Sequence, residues 1–228
     1  MSESLLISLS ARSSVLESRF FPPIELHPNK NYVIGLIELL TFNSIPNIDE
    51  SCNKLYLPGF ETIKIPTGSY EVEDIQKYLS EKLKNISFSL KANNNTLQSI
   101  IQCEKEIDFE PQDSIGKLLG FKPQKLAPNI YHTSELPVSI LKVNVLRVEC
   151  NIARGAYNNG QEVHNIHEFF PAVPPGFKII DRPLEIIYLP ISVKSLDSIQ
   201  LRIVDQDGDL VNFRGETISI RLHIKTVS

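Results

Sequence analysis

The 228-residue chain has no tryptophan, one methionine, three cysteines and ten glycines, and its net charge is only -4. Each scarcity excludes something. Sugar-binding sites are commonly built on an exposed aromatic platform, often tryptophan, and the chain has no tryptophan. The cysteines, Cys52, Cys103 and Cys150, form no C-x-x-C pair, and an odd count leaves at least one thiol unpaired under any intramolecular disulfide scheme. A reducing, intracellular setting is the expectation. With 23 Lys and Arg against 27 Asp and Glu, no global positive field is available to hold nucleic acid. The longest apolar stretches, 33–40 and 184–193, are interrupted by Glu38, Glu185 and Pro190, well short of the ~20 apolar residues of a membrane helix. At the N-terminus, Glu3 stands where a secretion signal carries basic residues, and Leu5-Leu6-Ile7 is too short for its apolar region.

What remains is an ordinary globular composition, 42% hydrophobic and 22% charged, enough for one domain with an insertion. Residues 1–20 are rich in serine, with Arg12 and Arg19, and run into Phe20-Phe21-Pro22-Pro23. They read as a flexible arm, placing the domain proper at 21–228. Tyr32 to Phe42 is apolar on both parities, as in a strand covered on both faces. Short strands follow at 55–57 and 62–65.

Residues 67–121 read as a small α+β insertion. Val72, Ile75, Leu79 and Leu83 line one face of a helix capped by Ser69. The runs 86–90 and 97–103 form a hairpin across Asn93-Asn94-Asn95. Asp113-Ser114 opens a short helix ended by Gly120-Phe121.

From Val138 onward the chain alternates as strands do: 138–152 with a change of parity suggesting a bulge, 162–169 after the Asn158-Asn159-Gly160 turn, then 184–189, 199–204 and 218–224. About eight strands lie outside the insertion. The expected fold is therefore mainly β, a single jelly-roll antiparallel β-sandwich of about eight strands carrying the α+β insertion.

No catalytic constellation emerges. Gly155 and Gly160 have phosphate-loop spacing, but Gln161 and Glu162 stand where Lys and Ser or Thr must bind. His164 and His167, three apart on a strand, would face opposite ways and not converge on a metal. Asp205, Asp207, Asp209 and Glu216 fall at positions 1, 3, 5 and 12 of a calcium loop, yet position 6 is Leu210 where that loop needs glycine. A β-turn around Asp207-Gly208 is the favoured reading, and no cofactor or metal is expected. The arginines of the C-terminal half are spread singly, a pattern of solvated faces or interfaces. Phe169-Phe170 must face both ways on a strand, so one of the pair is expected to meet an insertion or another subunit.

Five segments carry a resemblance: Phe21-Pro-Pro-Ile-Glu-Leu-His-Pro-Asn-Lys-Asn-Tyr-Val-Ile-Gly-Leu, Ile65-Pro-Thr-Gly-Ser-Tyr, Asp113-Ser-Ile-Gly-Lys-Leu-Leu-Gly-Phe, His164-Asn-Ile-His-Glu-Phe-Phe-Pro, and the stretch from Val204-Asp-Gln-Asp-Gly-Asp to Glu216. Together, over roughly residues 20–225, they resemble capsid proteins of Maverick/Polinton and adintovirus-like elements. Such elements encode a double jelly-roll major capsid protein and a single jelly-roll penton (minor capsid) protein, and eight strands supply one jelly roll. The resemblance implies a non-enzymatic vertex capsomer of an icosahedral virion, from such an element or a domesticated copy. It would associate with itself, as a pentamer, and with the element's major capsid protein, after assembly in the host-cell nucleus or cytoplasm. Candidate subunit contacts are Phe20, Phe21, His164, His167, Phe169 and Phe170. The alternative from another class is a β-sandwich module that binds a glycan or protein ligand.

Overall fold

The computed structural model describes residues 4–227. In chain order, β1 (Ser4–Ala11), β2 (Val15–Glu25) and β3 (Asn31–Phe42) come first. Next are β4 (Lys54–Leu55), β5 (Ile63–Lys64), the helix α1 (Val72–Lys82), β6 (Phe88–Asn93), β7 (Gln98–Cys103), β8 (Ile107–Asp108), β9 (Lys125–Leu126) and β10 (His132–Pro137). The chain ends with β11 (Leu146–Cys150), β12 (Ala156–Asn158), β13 (Gln161–Val163), β14 (Asn165–Phe169), β15 (Lys178–Asp181), β16 (Leu189–Pro190), β17 (Ser195–Val204) and β18 (Ile218–Val227). Two compact units result: one from the flanks up to residue 45 and from 143 onward, the other from residues 46–142.

The flanking unit is a jelly roll, and its pairings show why. Of its strands, eight build two sheets, ordered β1-β18-β3-β15 and β14-β11-β17-β2, with β16 added along β3. Numbered one to eight along the chain, the strands pair first with eighth, second with seventh, third with sixth and fourth with fifth, all antiparallel. That is a long antiparallel ribbon rolled up on itself. The pairings β18 with β3 and β11 with β17 then join its turns into four-stranded layers.

Alternation decides which face goes inside. In β18, Ile218, Ile220, Leu222 and Ile224 are buried, and in β17 Ile199, Leu201 and Ile203 are. Facing them are Leu146, Val148 and Cys150 of β11 and Ile34, Leu36 and Leu39 of β3 in one continuous core.

The expected arm is corrected here. Residues 1–3 lie outside the described residues, but 4–25 form β1 and β2, not a mobile tail. The physical reason is period two: Leu5, Ile7, Leu9 and Ala11 turn to the core while Ser4, Ser8 and Ser10 face outward. Serine content marked the exposed face of a strand and not a lack of structure.

The inserted unit is wider than 67–121. Ile48, Leu55, Leu57 and Ile65, before that segment, pack with Val72, Ile75 and Leu79 of α1 in a second core, and Leu126 after it joins them. The helix is confirmed, but its N-cap is Glu71 rather than Ser69, and the Glu71 N–H donates to the Asp74 carboxylate at 3.1 Å. The hairpin β6–β7 is present across the asparagines, and the left-handed residue there is Leu97. The second helix is absent. Ser114 bridges to Lys54, and residues 115–120 form successive turns, too short for a helix to propagate. Their end is nonetheless the expected one: Gly120 has φ +84, its N–H reaches the Lys117 carbonyl, and the Phe121 N–H reaches that of Gly116. Gly120 is required on a second ground, since a Cβ there would run into the Leu136 backbone carbonyl.

Two long strands are shorter than alternation suggests. The expected strand 138–152 begins only at Leu146, because the chain passes between units at 142/143. Of 184–189, only Leu189 enters a strand, and Leu184 is fully exposed. The Asn158-Asn159-Gly160 turn is as expected, with Asn159 and Gly160 both at positive φ between β12 and β13.

Candidate assembly surface

Strand β2 forms one edge of its sheet. It follows β17 in register from Val15 to Arg19, then resumes at Ile24 opposite Leu196, so Phe20 to Pro23 stand opposite the single Asp197. Pro22 and Pro23 have no N–H to give a neighbouring strand, which suits them to an edge. The two aromatics part company. Phe20 is partly buried against the core, whereas Phe21 is wholly exposed at the tip of the excursion.

At the opposite end of the same sheet, β14 lies beside β15 of the other layer. His167 on β14 sits 2.6 Å through Nε2 from the Asp181 carboxylate on β15, joining the two layers at their edge. Its ring stacks on Phe169 with centroids 5.7 Å apart. His164 falls in the break between β13 and β14, and its Nδ1 lies 2.8 Å from the Ala153 carbonyl oxygen. The two histidines therefore have separate partners, although the strand-parity argument fails at that break. Phe169 packs on the core, while Phe170 is 69% exposed.

The outer face of this sheet is laced by charge. Arg147 pairs with Glu168 directly across β11 and β14, and Arg202 with Glu149 across β17 and β11, each at 2.9 Å. Such cross-strand pairs keep the face solvated and self-satisfied, at about 0.2–1 kcal/mol each.

On the outer face of the other sheet, the segment 182–188 lies over β3 at Gly35. A Cβ on Gly35 would overlap Ile186 and come within 3.0 Å of the Ile187 carbonyl oxygen, so only glycine admits the overlying chain. One imidazole fastens it: His223 on β18 contacts the Tyr188 hydroxyl through Nδ1 and the Ser4 hydroxyl through Nε2, both at 2.7 Å. The Lys225 ammonium lies 3.8 Å from the Tyr188 ring centroid, a cation–π contact on the same residue. Arg182, at the start of the segment, donates from Nε to the buried Glu38 carboxylate at 2.6 Å. This fastening escaped the sequence reading. Its one visible signal was Gly35 inside an otherwise apolar strand.

The acidic stretch near the C-terminus is a turn. The Asp205 carboxylate accepts the N–H groups of Asp207 (2.9 Å) and Asp209 (3.0 Å), and Gly208 takes φ +89. Glu216 belongs to a separate turn, its N–H donating to the Phe213 carbonyl. Among the described residues, no group of three or more His, Cys, Asp or Glu is placed to hold a metal ion. All three cysteines are free and buried, and burial pushes the Cys150 thiol up to about 11.

No protein-family model and no curated sequence matches the chain. Among solved structures, the selenomethionine-labelled crystal structure of the mavirus penton protein is similar over 100% of both chains, with a TM-score of 0.54 and 10% sequence identity. The two share a fold. The likeness covers the whole chain, insertion included, and it is a likeness of fold. No helix among the described residues is long and apolar enough to cross a membrane.

Proposed function

We propose that the protein is a capsid structural protein, the penton-like vertex capsomer of an icosahedral shell, encoded by a Maverick/Polinton or adintovirus-like element or retained as a domesticated copy. The observation that carries the proposal is the rolled eight-strand ribbon with its insertion between the third and fourth strands, in a chain that matches the mavirus penton protein from end to end. In this reading the protein acts in the virion, its partners are its own copies and the element's major capsid protein, and its role is structural, not catalytic. A closed ring needs a heterologous contact, two different patches of one subunit meeting on the next. Phe21 on edge strand β2 and Phe170 just past the end of the opposite edge strand β14 suit such a contact, while Phe20, Phe169, His164 and His167 support it from within the subunit.

Sedimentation of the purified chain at tens of micromolar, with electron micrographs of the same sample, tests the proposal. A discrete pentamer and five-fold rings are the expected result. A strict monomer that forms no ring at any salt concentration would overturn it. Phe21→Ser and Phe170→Ser should each shift the equilibrium toward monomer while leaving the monomer's melting temperature unchanged.

A further inference from the structure

The inserted unit carries an open groove of about 680 Å3 between the 57–64 segment and the C-terminal end of α1. Its floor is apolar, made by Leu57, Ile63, Leu83 and Ile86. Phe60, 50% exposed, and Tyr78 add aromatic surface. On the rim, Lys64, Lys82 and Lys84 stand against the single Glu61. Lys64 shares its charge with Glu50 at 3.5 Å, and the Lys82 ammonium sits 5.6 Å from the Tyr78 ring centroid.

The backbone along one wall adds a second observation. Strand β5 is paired on one side only, to β4. The Ile65 N–H donates to the Asn53 carbonyl at 2.8 Å and Ile63 stands opposite Leu55, so odd-numbered residues direct their peptide groups to β4. Antiparallel geometry turns those of Thr62 and Lys64 the other way, toward the groove. The Tyr78 hydroxyl confirms the direction, donating to the Lys64 carbonyl at 3.0 Å from that side. The Thr62 N–H and C=O and the Lys64 N–H are left as an edge that another strand can use.

We propose that this groove takes an acidic peptide segment in extended conformation, added as a strand to the free edge of β5. Main-chain hydrogen bonds to Thr62 and Lys64 would hold it, and alternate side chains would divide between the two surfaces. Apolar ones meet Phe60 and Ile63, and carboxylates meet Lys82 and Lys84. A saccharide or free phosphate would engage the lysines but leave the strand edge unused, which is why a peptide is the better match.

Fluorescence anisotropy on the full chain tests this with a labelled eight-residue peptide alternating glutamate and valine. Saturable binding is expected, at least tenfold weaker for Lys82→Glu with Lys84→Glu, and equally weakened when alternate peptide nitrogens are N-methylated. Because the N-methylated probe alters the ligand alone, it keeps the test valid if Thr62→Pro, the matching variant of the strand edge, fails to fold. No saturation at millimolar peptide would overturn the proposal. So would undiminished binding of the N-methylated peptide, or lysine-dependent binding of a sulfated hexasaccharide where the peptide does not bind, which would mark an anion site instead. None of these outcomes depends on whether the chain assembles into a shell.

Discussion

Strand β1 offers the sharpest test of how the jelly roll is held together. Ile7 and Leu9 are 6% and 4% exposed, and both sit on the first strand of the ribbon, opposite Leu222 and Ile220 of the last. Burying each such side chain is worth about 1.5–3 kcal/mol, so the pair supplies about 3–6 kcal/mol. That is a large part of the ~5–15 kcal/mol by which a domain exceeds its unfolded state. Truncating either to alanine also leaves a cavity, giving about 2–5 kcal/mol per substitution. At ~2–4 °C per kcal/mol for a chain of this size, Ile7→Ala and Leu9→Ala should each lower the melting temperature by about 4–20 °C. The control lies one residue away. Ser8→Ala, on the outward face, should move it by no more than about 2 °C, in line with surface substitutions of ±0.5 kcal/mol. Thermal melts followed by circular dichroism, with urea titrations for the free energies, measure all three variants. Equal and small effects of Ile7→Ala and Ser8→Ala, or a chain lacking residues 1–11 that melts within a few degrees of the full chain, would refute the assignment of β1 to the core.

Three further outcomes follow from particular contacts. Gly35→Ala should cost about 1–3 kcal/mol as an overpacking change and make 182–188 markedly more sensitive to limited proteolysis, because the overlying chain must lift. In the inserted unit, Lys54 and Tyr56 hydrogen-bond the Asp113 carboxylate at 2.6 and 2.7 Å and hold it below the usual carboxylate range. A depressed folded pKa stabilises fully above the unfolded value of ~3.9 and is lost as pH falls through the folded one, so Asp113→Asn should flatten the acid limb of the melting profile below pH ~4. Millimolar calcium or chelator should leave the melting temperature unchanged, since the Asp205 carboxylate is already engaged by two backbone N–H groups; a rise abolished by Asp205→Asn with Asp207→Asn would reverse that view.

The parts of the fold legible from sequence were those governed by one local rule. The two-sided apolar run of β3 showed burial on both faces, and the chain lying over Gly35 explains the outer one there. Asn159-Gly160 and Asp207-Gly208 announced their turns, and the three- and four-residue spacing from Val72 to Leu83 announced α1. What was missed needed parity to be weighed over composition, as in β1, where serines on one face hid leucines and isoleucine on the other. Contacts between distant residues left no trace at all. His167 and Asp181 belong to different layers, and Ser4 and His223 meet only because the first and last strands of the ribbon pair.

That ribbon also explains why an insertion of nearly a hundred residues is tolerated where it is. It enters between the third and fourth strands, which are not hydrogen-bonded to each other, so no ladder has to be broken to admit it. The insert closes on itself: Lys142 at its last residue reaches the Asp49 carboxylate near its start at 2.5 Å. Burial there pushes the Asp49 carboxyl up, but Lys142 and the Ser51 hydroxyl and N–H outweigh it and hold the group below its usual range. With its ends clasped and a core of its own, the unit meets the physical conditions for an inserted domain, adjacent termini and independent apolar packing. Its peptide-sized groove lies wholly within that unit, so recognition there can vary without disturbing the eight strands that would build a shell.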